Sequence, residues 1–232
     1  MKRKYLVVDS NFFISLVLKH HDALFEKIIK LEKEGFFDKY DGILIMASVE
    51  KEVYKTLVRK FRLVLNEILL KFPDKNFDRN SFDIWLKNKV LNSLPYYENT
   101  FEFLIEFLFS FKKLKRIEKK DLLELDPYNI VDYLVDEVFM NNEKLINWKI
   151  FGSDLILNKE KLKKKNLINL VDCAKKIFKK GDKDFYIFEE FVYWLYLKED
   201  HLDFLTFDKD FSKNIIFFRR KCNFRKFEVF YF

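Results

Sequence analysis

Apolar positions along this chain fall into two kinds of run. Short unbroken blocks at Tyr5–Val8, Ile43–Ala47 and Asp203–Phe207 read as strands buried on both faces, the kind found inside a parallel sheet. Ile215–Phe218 and Lys226–Phe232 read as two closing strands. Longer stretches place apolar residues at helical spacing, as in Phe101, Leu104, Ile105, Leu108 and Phe109. This spacing predicts helices over Phe12–Leu18, His21–Glu34, Val49–Phe72, Phe82–Leu94, Tyr97–Arg116, Pro127–Phe139, Lys159–Lys180 and Phe185–Lys198, with a short one starting at Asp208. The punctuation agrees: Ser10 and Asn11, Ser48 and Ser81 are candidate N-caps, Gly35 and Gly181 candidate stops, and Pro127 a first helical residue.

Strands alternating with helices at both ends of the chain predict an α/β fold: a mainly parallel central sheet in a three-layer α/β/α arrangement. Between Pro73 and about Lys180 the pattern is helical throughout, with no internal repeat and no low-complexity linker.

Composition narrows the class. The chain is 49% hydrophobic, with 29 Phe but only 4 Gly and 3 Pro, which favours long helices and a large aromatic core over many turns. Charged residues make up 35%, and no apolar run is long enough to span a bilayer, so no membrane role is expected. Asp9 interrupts the first apolar run, which therefore does not read as a signal peptide. Cys173 and Cys222 belong to no C-x-x-C pair and are expected to be reduced thiols in a cytoplasmic protein. His20, His21 and His201 are too scattered for a histidine metal site. The net charge of +7 is concentrated in three clusters: Lys112–Lys120, Lys159–Lys165 with Lys175–Lys180, and Arg219–Lys226. Each alone reads as a solvated helix face; together they make nucleic acid the expected partner.

The candidate chemistry is acidic. Asp9, Glu52 and Asp208 each lie where a predicted strand meets the next helix, and Asp184 opens a helix nearby in the chain. Each has a plain structural reading, Asp9 as a helix cap and Glu52, with Glu50 its nearest competitor, as compensation of a helix dipole. In a parallel sheet, however, all four can converge on the edge where α/β folds bind ligands. Clustered carboxylates raise one another's pKa and persist where a cation neutralises them. All-oxygen ligands suit Mg²⁺ or Mn²⁺, and such an ion suits phosphodiester hydrolysis.

Val7-Val8-Asp9-Ser10-Asn11, the helix-opening Glu52, Asp184 and the stretch Phe204-Leu205-Thr206-Phe207-Asp208-Lys209-Asp210-Phe211 together resemble the PIN domain, a family of metal-dependent nucleases acting mostly on RNA. The resemblance covers roughly residues 1–72 and 168–232. It implies one PIN-like domain over 1–232, with its core at 1–73 and 166–232 and a helical insertion at 74–165. It implies Asp9, Glu52, Asp184 and Asp208 as the catalytic, metal-holding quartet, with Asp182 the alternative to Asp184. Asn11, Thr206 and Asp210 are implied as supporting residues. Lys163, Lys164, Lys165, Arg219 and Arg220 are expected to contact the nucleic acid.

The expected function is metal-dependent endoribonuclease activity, with Mg²⁺ or Mn²⁺ as cofactor and RNA as partner; by analogy, the size of the insertion suits a structured RNA such as tRNA. The alternatives are a VapC-type toxin ribonuclease, with a protein antitoxin or a homo-oligomeric partner, and a non-catalytic PIN-like scaffold. A phosphotransferase of the haloacid-dehalogenase type requires a second Asp two residues after the first, and position 11 is Asn.

Overall fold

The computed structural model describes residues 3–18, 23–142, 148–150, 165–178, 183–197, 201–224 and 227–232. The fold is α/β. Strands β1 (Lys4–Val8), β2 (Gly42–Ile45), β3 (Trp148–Ile150), β4 (His201–Thr206) and β5 (Val229–Tyr231) form one five-stranded sheet in the order β3-β2-β1-β4-β5. Every pairing is parallel, with Val7 beside Leu44 and Phe204, and Leu205 beside Phe230. The central strands are buried almost throughout, which is why β1, β2 and β4 are legible as unbroken apolar blocks.

The helices are α1 (Ser10–Leu18), α2 (Ala23–Lys33), α3 (Ala47–Lys71), α4 (Arg79–Lys89), α5 (Glu98–Glu106), α6 (Lys119–Leu123), α7 (Pro127–Asn142), α8 (Lys165–Lys175), α9 (Lys183–Leu197) and α10 (Lys209–Lys221). The chain divides into two compact units. One holds Met1–Ser15, Ala23–Val53 and Asn141–Phe232, and so carries the sheet; the other holds Leu16–Asp22 and Tyr54–Met140 and is helical. The long segment of the helical unit starts at Tyr54, inside α3. No helix among the described residues is long and apolar enough to cross a membrane.

Several local expectations are corrected. The run Ile215–Phe218 is not a strand but part of α10, in which Ile215 and Phe218 are buried while Ile216 and Phe217 face outward, a helical spacing. The stretch read as wholly helical contains β3. The helix predicted to reach Arg116 ends α-helically at Glu106 and continues as a π-turn over Phe107–Phe111. Asp78, not Ser81, caps α4, because an N-cap carboxylate receives the N–H three residues on: Ser81 N–H donates to Asp78 at 2.8 Å. Asp9, not Ser10 or Asn11, caps α1 in the same way. Cys173 and Cys222 are not free thiols: α8 and the end of α10 bring their Cα atoms to 6.2 Å, and the two sulfurs are bonded.

The abundant phenylalanine packs the helices that carry the acidic residues. Phe191 on α9 meets Phe204 of β4 at 5.0 Å between ring centroids, Phe204 meets Phe211 of α10 at 5.4 Å, and Phe188 meets Phe218 at 4.7 Å, all nearly edge to face. Each fully buried ring contributes about 2–3 kcal/mol by burial, and each edge-to-face pair about 1 kcal/mol more. This cluster fixes α9 and α10 against β4, and with them the acidic residues at their N-termini.

Candidate functional site

Strand order reverses at β1: the chain moves from β1 to β2 on one side and later returns to β4 on the other. The crevice beyond the carboxyl ends of β1 and β4 is therefore the place where an open parallel sheet receives ligands. Asp9 follows β1 there and Asp208 follows β4. Asp9 is only 2% exposed. Its Oδ1 accepts the Phe12 N–H at 2.9 Å, and its Oδ2 accepts the Thr206 hydroxyl at 2.5 Å and the Phe207 N–H at 3.3 Å. Thr206 Oγ1 in turn accepts the Asp208 N–H at 2.9 Å, so one hydroxyl joins the two strand ends. Asp208 caps α10, its Oδ1 accepting the N–H groups of Asp210 and Phe211 at 2.8 and 2.9 Å.

All of Asp9's donors among the described residues are neutral. Burial pushes its pKa above the ordinary carboxylate value, the bonds from Thr206, Phe12 and Phe207 pull it back in part, and the like charge of Asp208 pushes it up again. Asp9 is thus a buried acid facing another acid.

Glu52 projects from the second turn of α3. It is 16% exposed and pairs through Oε1 with the Lys183 ammonium at 2.5 Å, while its buried Oε2 has no hydrogen-bond partner among the described residues. The hydrogen bond to Glu52 raises the Lys183 pKa against the opposing effect of burial, and Asp184 and Asp208 add to the rise. Lys183 therefore carries its positive charge into the field of three of the four predicted acids. Asp184, half-buried in the first turn of α9, is its sequence neighbour.

Sequence reasoning missed two residues here, Lys183 and Glu190. The Glu190 carboxylate accepts the N–H groups of Ala47 and Ser48 at 2.9 Å each and the Ser48 hydroxyl at 2.6 Å, so α9 caps the start of α3, the role expected of Ser48. Lys183 and Glu190 stand two turns apart on one face of α9, and both hold α3 in the position that presents Glu52. That shared spacing was the available signal.

Of the supporting residues, Thr206 is buried between the two aspartates. Asn11 is half-buried in the first turn of α1, and Asp210 points outward to Lys213 at 3.0 Å. Among the expected nucleic-acid contacts, Arg220 is exposed. Arg219 is mostly buried, 3.5 Å from Glu228 and over the Phe227 ring. Lys163, Lys164 and the side chain of Lys165 lie outside the described residues, as do Asp182, His20 and His21.

The residues present fit a hard divalent cation in kind. The donors are carboxylate oxygens, Glu52 Oε2 is buried and unpartnered, and a lysine ammonium already stands where positive charge is called for. Among the described residues, no three acidic, histidine or cysteine side chains come close enough together to share one ion. Comparison with family models, with curated proteins and with solved structures returned no match.

Proposed function

We propose that this chain is a metal-dependent nuclease that hydrolyses RNA phosphodiester bonds, and that its α/β fold is a three-layer PIN-like one. The observation that carries the reading is Asp9: a carboxylate buried at the strand-order reversal, beside Asp208, with neutral donors alone and no cation among the described residues. Burying an uncompensated charge costs several kcal/mol unless something neutralises it.

Asp9, Glu52, Asp184 and Asp208 would hold Mg²⁺ or Mn²⁺, with Asp182 the alternative to Asp184. When bound, such an ion neutralises the acids, stabilises charge on a phosphate and lowers the pKa of a water. The protein's own residues do the positioning. Thr206 locks the Asp9 rotamer and links it to the Asp208 backbone. The α1 and α10 N-termini hold Asp9 and Asp208 at the crevice. Lys183 orients Glu52 and, 67% exposed at its own side chain, can reach a phosphate oxygen.

The capping roles of Asp9 and Asp208 favour one competing reading, a scaffold whose acids serve only the fold. Cleavage separates the two. Purified wild type, Asp9→Asn and Asp208→Asn are incubated with labelled RNAs and Mn²⁺ or Mg²⁺. Asn still caps a helix through its one acceptor oxygen, and circular dichroism checks that both variants are folded. The nuclease reading expects wild-type cleavage that a chelator abolishes and a fall of about a hundredfold or more in each variant. Cleavage that survives both substitutions, or none by wild type on any RNA, overturns it.

A further inference from the structure

The helical unit carries a surface that the nuclease reading does not use. An isolated antiparallel bridge joins Phe77 to Ile117, with N–H to carbonyl distances of 3.0 and 2.7 Å, and clamps residues 74–79 against 112–121. Those two stretches hold eight basic and four acidic residues. The acids are largely turned to their own backbone. Asp78 caps α4 through Ser81, and Glu118 and Asp121 form a reciprocal capping box on α6. Glu118 also takes the Lys120 ammonium at 2.9 Å. Lys113, Lys115, Arg116 and Lys119 are exposed and make no ion pair with any described residue. Lys75 and Lys112 flank them, also exposed.

The centre of this cluster is strained. Lys113 has φ +55°, in a turn closed by the Lys112 N–H on the Phe107 carbonyl at 2.9 Å and the Leu114 N–H on the Leu108 carbonyl at 3.2 Å. At the end of α2 the chain makes a comparable left-handed turn with Gly35, φ +70°, the residue that such a position favours. Lysine at 113 accepts a backbone penalty that glycine would avoid, and retained strain of this kind concentrates at ligand-binding positions. Two residues earlier, Phe111 is 51% exposed, and its ring stands 4.2 Å from that of Tyr133.

We infer that the turn spanning Phe111 to Lys119 of the helical unit is a binding surface for single-stranded RNA, its cations taking backbone phosphates and Phe111 stacking on a base. The choice of RNA rests on the nuclease reading above. An exposed ring beside unpaired cations suits an unstacked base and its phosphates better than a duplex, whose bases are already stacked, or an acidic peptide, which needs no ring.

The test is fluorescence anisotropy of the whole chain with a short labelled single-stranded RNA, in chelator so that no cleavage occurs, across a salt titration. Replacing Lys113, Lys115 and Arg116 together with Gln should weaken binding about tenfold or more and lower the slope of log affinity against log salt by about two. Phe111→Ala should weaken binding about fivefold or more and leave the slope unchanged. Lys113→Gly discriminates best. It should raise the melting temperature by relieving the left-handed turn and yet weaken binding, a combination that a purely structural lysine cannot produce.

A triple variant with wild-type affinity and slope overturns the surface and leaves the nuclease reading standing. Binding that depends on this surface, without cleavage in Mn²⁺, does the reverse. Wild type that binds no RNA overturns both. Tighter binding of duplex RNA with no effect of Phe111→Ala, or equal competition by polyglutamate, overturns the single-strand assignment.

Discussion

Among the described residues, two aspartates are buried in the sheet-bearing unit, and they are treated in opposite ways. Asp203, within β4 beside Leu6 of β1, is 0% exposed yet fully compensated. Its carboxylate faces the Lys4 ammonium at 3.1 Å and the His201 ring at 2.9 Å, and it accepts the Tyr40 hydroxyl at 3.0 Å and the Glu228 N–H at 2.8 Å. Burial pushes its pKa up, but the Glu228 N–H, Lys4, Tyr40 and His201 outweigh it and hold the group below the ordinary value. Asp9, at the carboxyl end of β1, is equally hidden but has neutral donors and an acidic neighbour, and its pKa is raised. The same side chain is a finished structural tie at one level of the sheet and an unfinished charge at the other. Asp203 has a lysine ammonium within reach, whereas among the described residues Asp9 has no cationic partner.

The largest expected effect comes from breaking the finished site. Asp203→Asn leaves the Lys4 ammonium without its carboxylate and should cost roughly 3 kcal/mol at neutral pH, a fall of about 6–12 °C in melting temperature. Asp9→Asn in chelator should cost far less, because it removes an unfavourable charge and keeps the cap through one oxygen, which offsets the loss of the Phe207 N–H bond to the other. The pH dependences should run in opposite directions. A depressed pKa contributes stability above the unfolded value near 3.8, lost as pH falls through the folded value, so the Asp203→Asn deficit should shrink toward about pH 3. A raised pKa contributes stability below the unfolded value, lost as pH rises through the folded one, so Asp9→Asn should gain on wild type from about pH 4 to neutral. Thermal melts of the three proteins over this range check both signs; parallel profiles would erase the contrast.

A smaller effect sharpens the picture of the unfinished site. Lys183→Met removes the ammonium paired with Glu52. The ammonium is well exposed but the Glu52 carboxylate it leaves behind is 16% exposed, so the loss in metal-free protein should be about 1–2 kcal/mol, read by denaturant titration. With the competing cation gone, Mn²⁺ should stabilise Lys183→Met more than it stabilises wild type. An equal metal-induced shift in the two proteins would place Lys183 outside the site.

How much of this was legible in the sequence follows from the range of each interaction. Asp9, Thr206 and Asp208 could be read because strand ends and helix caps are local patterns, and the sheet then brings those ends together. Asp203 could not, since an Asp within an apolar block reveals neither Lys4 nor Tyr40, which arrive from distant elements. Lys183 and Glu52 are 131 residues apart, and nothing local in either segment announces the pair. Cys173 and Cys222, 49 apart, met only once α8 and α10 were placed. Ile215–Phe218 misled because four apolar residues fit a strand block or one helical turn equally well, and the capping Asp208 with its following polar residues decides for the helix.

The central claim is that the acids at the carboxyl edge of the sheet await a cation, and titration calorimetry of Mn²⁺ into wild type and Asp9→Asn at neutral pH tests it most directly. The account predicts saturable binding of Mn²⁺ to wild type and a fall in affinity of about tenfold or more in Asp9→Asn, a loss of about 1.4 kcal/mol or more in binding free energy. No saturable binding by wild type, or the same affinity in both proteins, would contradict it and leave Asp9 as a helix cap alone.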